Sequence, residues 1–293
     1  MVFTYLTHGI ALRLPFLCEE LGAPAPDLPP DLCVAAAEVP RQLVGAELRE
    51  PLYDTSSEAF LYRGGMRSAR FLATRGESIV FQKNARCEEA LFLHHLLHPV
   101  TVAALWQRGL FVLHASSVVS PKGAILVTGE SGAGKSTTVA RLMAEGWPLH
   151  TDDVSALCPN HHGILQVQAG ARHVHLHEAS AAQLGIGTQG LARHDWHRMK
   201  MAIPASVSTE RHACTIAMIV YLFHADTLSV EAVRGRDKLP LLLRSVYGPV
   251  LREMAVMRYD LLSRALSEIE MIAIGRPAGQ WTAEEIVRAI CRG

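Results

Sequence analysis

Gly129-Glu130-Ser131-Gly132-Ala133-Gly134-Lys135-Ser136 is the stretch that decides how this chain folds. It matches G-x-x-x-x-G-K-[ST] in full, and its flanks supply the context the pattern requires. An apolar strand is predicted over Ala124–Thr128, and a helical pattern leaves the loop at Thr137 and runs to Glu145. Small residues let the backbone close around a phosphate chain, so that successive N–H groups point at its oxygens. The positive end of the following helix adds to the attraction. In this arrangement Lys135 reaches the β- and γ-phosphates and the Ser136 hydroxyl holds Mg²⁺. Gly129, Glu130, Ser131, Gly132, Ala133, Gly134, Lys135, Ser136 and Thr137 are therefore the candidate contacts to a nucleoside triphosphate.

Composition limits the partners. Across 293 residues, 28 Lys plus Arg balance 28 Asp plus Glu, which leaves no general pull toward nucleic acid or a membrane surface. Any charged partner must be recognised locally. The six cysteines (Cys18, Cys33, Cys87, Cys158, Cys214 and Cys291) are scattered without a C-x-x-C pair, the usage expected of reduced thiols in the cytosol. The N-terminal residues lack the pattern of a signal peptide, and the longest apolar run, Ile216 to Phe223, is too short for a bilayer. These features predict a soluble, cytoplasmic protein.

Two domains are predicted: a small β-rich one over residues 1–86 and an α/β one over 87–293. In the first, Gly9–Pro15, Ala59–Tyr62, Ala69–Ala73 and Ser78–Gln82 read as short strands around a Pro-rich loop at 22–30, suggesting an antiparallel sheet. Residues 87–107 read as helix, broken by Pro99. From Gly109 strands alternate with helices, with strand candidates at 110–113, 124–128, 148–151, 216–223 and 269–274. Gly146 should stop the loop helix, and Thr282-x-x-Glu285 should cap the last one.

Two motifs belong beside the loop. Leu113-His114-Ala115-Ser116-Ser117 ends the strand before it, and Thr151-Asp152-Asp153-Val154 follows the strand after its helix. Residues just past the carboxyl ends of neighbouring strands gather in one crevice. If strand 148–151 lies parallel to and beside strand 124–128, both acids emerge at the γ-phosphate. Phosphoryl transfer needs a metal carrier and an acceptor for the proton of the attacking hydroxyl, tasks that two carboxylates can divide.

Together, Gly109–Ser117, Gly129–Ser136 and Gly146–Asp153 closely resemble the catalytic core of HPr serine kinase/phosphorylase-like proteins. The likeness is good over about residues 87–177 and looser elsewhere. It implies an α/β P-loop kinase core of the HPr kinase/phosphoenolpyruvate carboxykinase type, with ATP and Mg²⁺ as cofactors and a serine hydroxyl as acceptor. It also implies that Asp152 is the general base, that Asp153 joins Ser136 at the metal, and that His114 sits against the transferred phosphoryl group. There are departures. The first hundred residues do not look like the regulatory domain of the bifunctional enzymes. Ile164–Arg172 lacks their Glu-x-Arg-Gly signature, with Gln166 standing where a Mg²⁺-binding glutamate is expected. The layout instead resembles divergent homologues that phosphorylate the C-terminal serine of a lasso precursor peptide. A peptide or small protein carrying that serine is the expected partner, and the resemblance leaves a homo-oligomer open.

His173, His175 and His177 alternate along a predicted strand and share one face, read here as a polar stripe rather than a metal site. Arg172, just before them, lies in a stretch that borders the active site in the resembling proteins, which implies a contact to phosphate or a peptide carboxylate. Arg193, Arg198 and Lys200 could supply a cation from a loop over the site. Rival functions are a kinase for free serine or another small hydroxyl compound, a kinase for HPr itself, and an ATP-binding regulator without transfer activity.

Overall fold

Alternating burial builds the first sheet. Ala69–Thr74 and Ser78–Lys83 each bury every second side chain, so Phe71, Ala73, Ile79 and Phe81 line one face. The computed structural model describes the chain apart from residues 26, 171–172, 190, 192, 196–199, 206–212, 249–258 and 293, and the side chains of 193–195 and 259–261. The chain divides into two compact units, Met1–Val112 with Tyr247–Val256, and Leu113–Val246 with Met257–Gly293. Among the described residues no helix is long and apolar enough to cross a membrane.

The first unit carries an eight-stranded sheet. Its order is Phe3–Thr7, Ile10–Leu14, Leu32–Ala36, Ser78–Lys83, Ala69–Thr74, Ala59–Arg63, Tyr53–Thr55 and Leu48–Arg49. The sheet is mixed rather than wholly antiparallel as expected, because Leu32–Ala36 runs parallel to both its neighbours. The Pro-rich stretch between Leu14 and Leu32 makes this possible, carrying the chain back to start a strand in the same direction. Residues 89–107 group with this unit, although the sequence suggested that they open the second. The reason is aromatic packing: the Phe92 ring lies 5.5 Å from Phe71 and 4.9 Å from Phe81. The segment divides around Pro99 into two shorter helices as expected, Glu89–His95 and Thr101–Gln107, and Pro99 sits in a π-helical turn between them, Leu96–Val100. The wider turn relieves the clash of the proline ring with a carbonyl one turn back.

The second unit is the α/β part. Gly123–Gly129, Cys214–His224 and Glu270–Arg276 run parallel, with Val127 opposite Val220 and Val220 opposite Ile272. Ser116–Ser120 forms an antiparallel hairpin with Gly123–Gly129 and separates it from Leu149–Thr151, so the last strand is not the direct neighbour that the sequence suggested. Leu149–Thr151 is antiparallel to Ser116–Ser120 and so still points the same way as Gly123–Gly129. Its end reaches the same edge of the sheet. Helices Lys135–Ala144 and Ala283–Arg292 share a core in which Val139, Ala140 and Leu142 join Ile286, Val287 and Ile290 beneath Val127 and Val220. Gly146 ends the first helix as expected, at φ 91°, with its N–H bonded to the Met143 carbonyl at 2.9 Å. The capping box at Thr282 does not form, since the Thr282 hydroxyl is buried without a partner among the described residues. A three-stranded sheet, Arg193–Asp195, Lys200–Pro204 and His173–His177, completes the unit. It turns Val174, Leu176, Met201 and Ile203 into the core, which leaves His173, His175 and His177 on the opposite face.

His95 gives the first unit a pH signature. Burial, reinforced by the charge of His94, pushes its imidazole down to about 4, while Nδ1 lies 2.9 Å from the Ser68 hydroxyl. A base held below its unfolded value, about 6.5, stabilises the fold above that pH and loses this contribution as pH falls toward 4. In urea titrations, wild type should therefore lose stability between pH 6.5 and 4 faster than His95→Gln does. Parallel curves would refute the assignment.

Candidate active site

The glycine loop is shaped by what lies beneath it. Gly129 adopts φ 127°, and a Cβ there would overlap the Leu222 carbonyl oxygen on the adjacent strand. The next N–H, from Glu130, bonds that same carbonyl at 2.9 Å. Glu130 turns its carboxylate away from the loop to accept the His224 N–H at 2.9 Å, so it anchors the loop to the sheet. Gly134, at φ 97°, starts helix Lys135–Ala144, and a Cβ there would lie 2.6 Å from Arg276 Nη1. Ala133 is buried, and its carbonyl accepts Arg276 Nη1 at 3.3 Å. Lys135 folds across the loop and donates to the Gly129 and Glu130 carbonyls, both at 3.1 Å. The Thr137 hydroxyl meets that of Ser180 at 3.3 Å.

Asp152 and Asp153 follow strand Leu149–Thr151 and have different surroundings. Asp152 is buried, at 7% exposure, and both its oxygens are occupied. Oδ1 accepts the hydroxyls of Ser116 at 2.6 Å and Ser136 at 3.3 Å, and Oδ2 accepts the His175 N–H at 2.7 Å, with His175 Nδ1 at 3.0 Å. Asp153 has φ 60°, unusual outside glycine but tolerated by Asp. The Val154 N–H closes a tight turn around it onto the Asp152 carbonyl at 2.7 Å. The turn sends the second carboxylate into the cleft, where Oδ1 lies 3.5 Å from His114 Nε2 and Oδ2 lies 3.6 Å from Lys200 Nζ. His114 is held by its backbone: its N–H donates to Ser245 at 2.8 Å and its carbonyl accepts the Thr128 hydroxyl at 3.1 Å.

One cleft of about 630 Å³ has the loop residues Ser131, Gly132 and Gly134 to Thr137 along one wall and His114, Asp153, His175 and Lys200 along the others. Ligand atoms of Asp152, Asp153 and His175 all lie within 4.8 Å of one another, a donor set that fits a divalent cation. The polar stripe read from the sequence is thus completed by carboxylates at His175, although not at His173 or His177. Ser136, expected to share a metal with Asp153, touches Asp152 instead. Burial alone would lower the His175 pKa, but the hydrogen bond and charge of Asp152, supported by Asp153, raise it.

The structure brings together Lys135, Ser136, Asp152, Asp153, His114 and Lys200. Arg172 and Arg198 lie outside the described residues, as does the side chain of Arg193. Sequence reasoning missed Arg276, Ser116 and the contact of His175. Arg276 closes the third parallel strand, Glu270–Arg276, at the edge that carries the loop, and its position past that strand's apolar run was the available signal. Ser116 was inside a quoted motif but carried no role.

No protein-family model matches the chain, and neither does any curated protein. A solved structure of the Hpr(Ser) kinase/phosphatase from Coxiella burnetii aligns with a TM-score of 0.32 and 14% identity, over 62% of this chain and 88% of that one. At that score and identity the likeness carries no argument about this chain. The chemistry rests on this chain's own residues.

The pairing of Asp152 with His175 can be read directly. In metal-free protein, NMR titration of His175 should give a pKa above the ordinary imidazole value of about 6.5, and Asp152→Asn should lower it. An unchanged value in the variant would show that the carboxylate does not hold the imidazolium.

Proposed function

We propose that this chain is an ATP-dependent serine kinase of the HPr serine kinase type, acting on a serine hydroxyl carried by a peptide. The observation that carries the reading is the unequal setting of the two acids. Asp152 touches the Ser136 hydroxyl and lies within one donor group with His175, which suits it to the metal side of the site. Asp153 faces the cleft beside His114 and Lys200, which suits it to receive a proton. This reverses the roles that the resemblance implied for the pair.

In this reading Lys135 leaves its two loop carbonyls to bind the β- and γ-phosphates. Ser136 and Asp152, with His175 nearby, would hold Mg²⁺, which when bound neutralises charge on the phosphate oxygens. The acceptor hydroxyl attacks the γ-phosphorus as its proton passes to Asp153, and the bond to the bridging oxygen of ADP breaks. His114, Lys200 and Arg276 line the same cleft and supply donors for the charge that develops on the transferred group. In its narrowest form the acceptor is the C-terminal serine of a lasso precursor peptide.

Incubation with labelled ATP and peptides ending in serine tests the proposal. Asp153→Asn should slow transfer by roughly 10²–10⁴-fold, the usual contribution of a positioned base, while leaving nucleotide binding intact. Asp152→Asn should instead raise the Mg²⁺ concentration needed for half-maximal rate. Wild-type transfer rates in Asp153→Asn would remove the base, and competition by free serine would move the acceptor from peptide to amino acid.

A further inference from the structure

A second cleft, also of about 630 Å³, lies within the first unit and is bordered by Arg41, Arg63, Arg70 and Arg86, with Met66 and Asn84. Among the described residues no carboxylate lines it. Two of the arginines are fixed in place. Arg63 donates to the carbonyls of Arg41 and Glu50 and to the buried Asp54, and Arg70 donates to the Val39 carbonyl and to Gln82. Asp54 is turned away from any ligand, because its oxygens are also taken by Arg49 and the Leu43 N–H. The side chains of Arg41 and Arg86 are exposed and make no hydrogen bond or ion pair to a described residue. Apolar surface adjoins the charge: Met66 is 74% exposed in the cleft itself. Leu52, 56% exposed, accepts the Arg63 N–H through its carbonyl.

Four guanidinium groups, of which only that of Arg63 is paired with an acid among the described residues, make a site for anions. The cleft is far larger than one phosphate fills, so the anion must be extended. Nucleic acid would need a basic stripe along a surface, whereas the formal net charge of this chain is zero. Met66, exposed in the cleft, calls for aliphatic side chains between the charges. We propose that this arginine cleft docks an acidic peptide segment whose carboxylates alternate with apolar residues. The fixed guanidinium groups of Arg63 and Arg70 form its floor, and Arg41 and Arg86 close on carboxylates from its rim. Because the fixed pair is already ordered, binding loses less side-chain freedom than at an ordinary surface.

The test uses the full chain and a fluorescein-labelled decapeptide of alternating Glu and Leu, read by fluorescence anisotropy at low and moderate salt. Wild type should bind it in a salt-sensitive manner, and should not bind the same peptide with Lys in place of Glu. Arg41→Glu/Arg86→Glu should weaken binding at least roughly tenfold, the scale of one charge-assisted hydrogen bond, with an unchanged circular dichroism spectrum. Should that variant fold poorly, Arg86→Gln alone serves, with a smaller loss expected. Absence of wild-type binding, equal binding by the folded variants, or displacement of the peptide by inorganic phosphate or single-stranded DNA at lower concentration would each overturn the proposal. The readout is binding alone, so its failure is distinct from failure of the kinase reading.

Discussion

The carboxylate of Asp152 is the interaction on which the site depends. A buried, ionised acid is costly unless its lone pairs are occupied, and here donors come from three separate elements. Ser116 belongs to the hairpin beside the glycine loop, Ser136 to the helix that the loop opens, and His175 to the three-stranded sheet. One side chain thus ties the hairpin, the loop helix and the histidine face together. Loss of a single donor leaves an underpaired buried charge, which costs more than the bond itself was worth. The raised pKa of His175 is the same interaction seen from the other side, since a protonated imidazole compensates the carboxylate that burial would otherwise penalise.

Strand direction explains why the acids arrive there. Leu149–Thr151 and Gly123–Gly129 are separated by Ser116–Ser120, which is antiparallel to both, so the two outer strands end at one edge. The intervening strand also begins at that edge, which is why Ser116 and His114 come to the loop from the start of a hairpin rather than from the end of a preceding parallel strand. The arrangement produces a common crevice without requiring direct neighbours.

This geometry marks what could be read from residues alone. The glycine loop, its strand and its helix were legible because backbone requirements are written in residue type: Gly129 and Gly134 occupy positions where a side chain would meet Leu222 or Arg276. That the acids end at the loop's edge of the sheet was legible from strand polarity, but their pairing was not, since the sequence put Asp153 rather than Asp152 beside Ser136. Strand order was not, since Ser116–Ser120 is short and polar at both ends and reads as loop. The placement of Phe92 and Trp106 in the first unit was hidden too, because apolar helical spacing shows that a face is buried without showing against what. His175 was misjudged for a related reason. Its neighbours His173 and His177 define a face, but the carboxylate that meets that face lies more than twenty residues away in sequence.

Adjacent acids with different fates follow from one backbone step. Along an extended strand, successive side chains point to opposite sides, so a pair of acids at a strand end would ordinarily be split between core and solvent. The tight turn at Asp153, with φ 60° and the Val154 N–H on the Asp152 carbonyl, replaces that alternation by a reversal. Asp152 stays inward on its donors while Asp153 is swung across the cleft toward His114 and Lys200. An alanine here would lose the charge and also meet a greater backbone penalty, because Asp is among the few residues that accept this region readily. Asparagine separates the two effects: it keeps the turn and removes only the proton acceptor. The twin acids are therefore not interchangeable, and their division of labour is set by main-chain conformation before any ligand arrives.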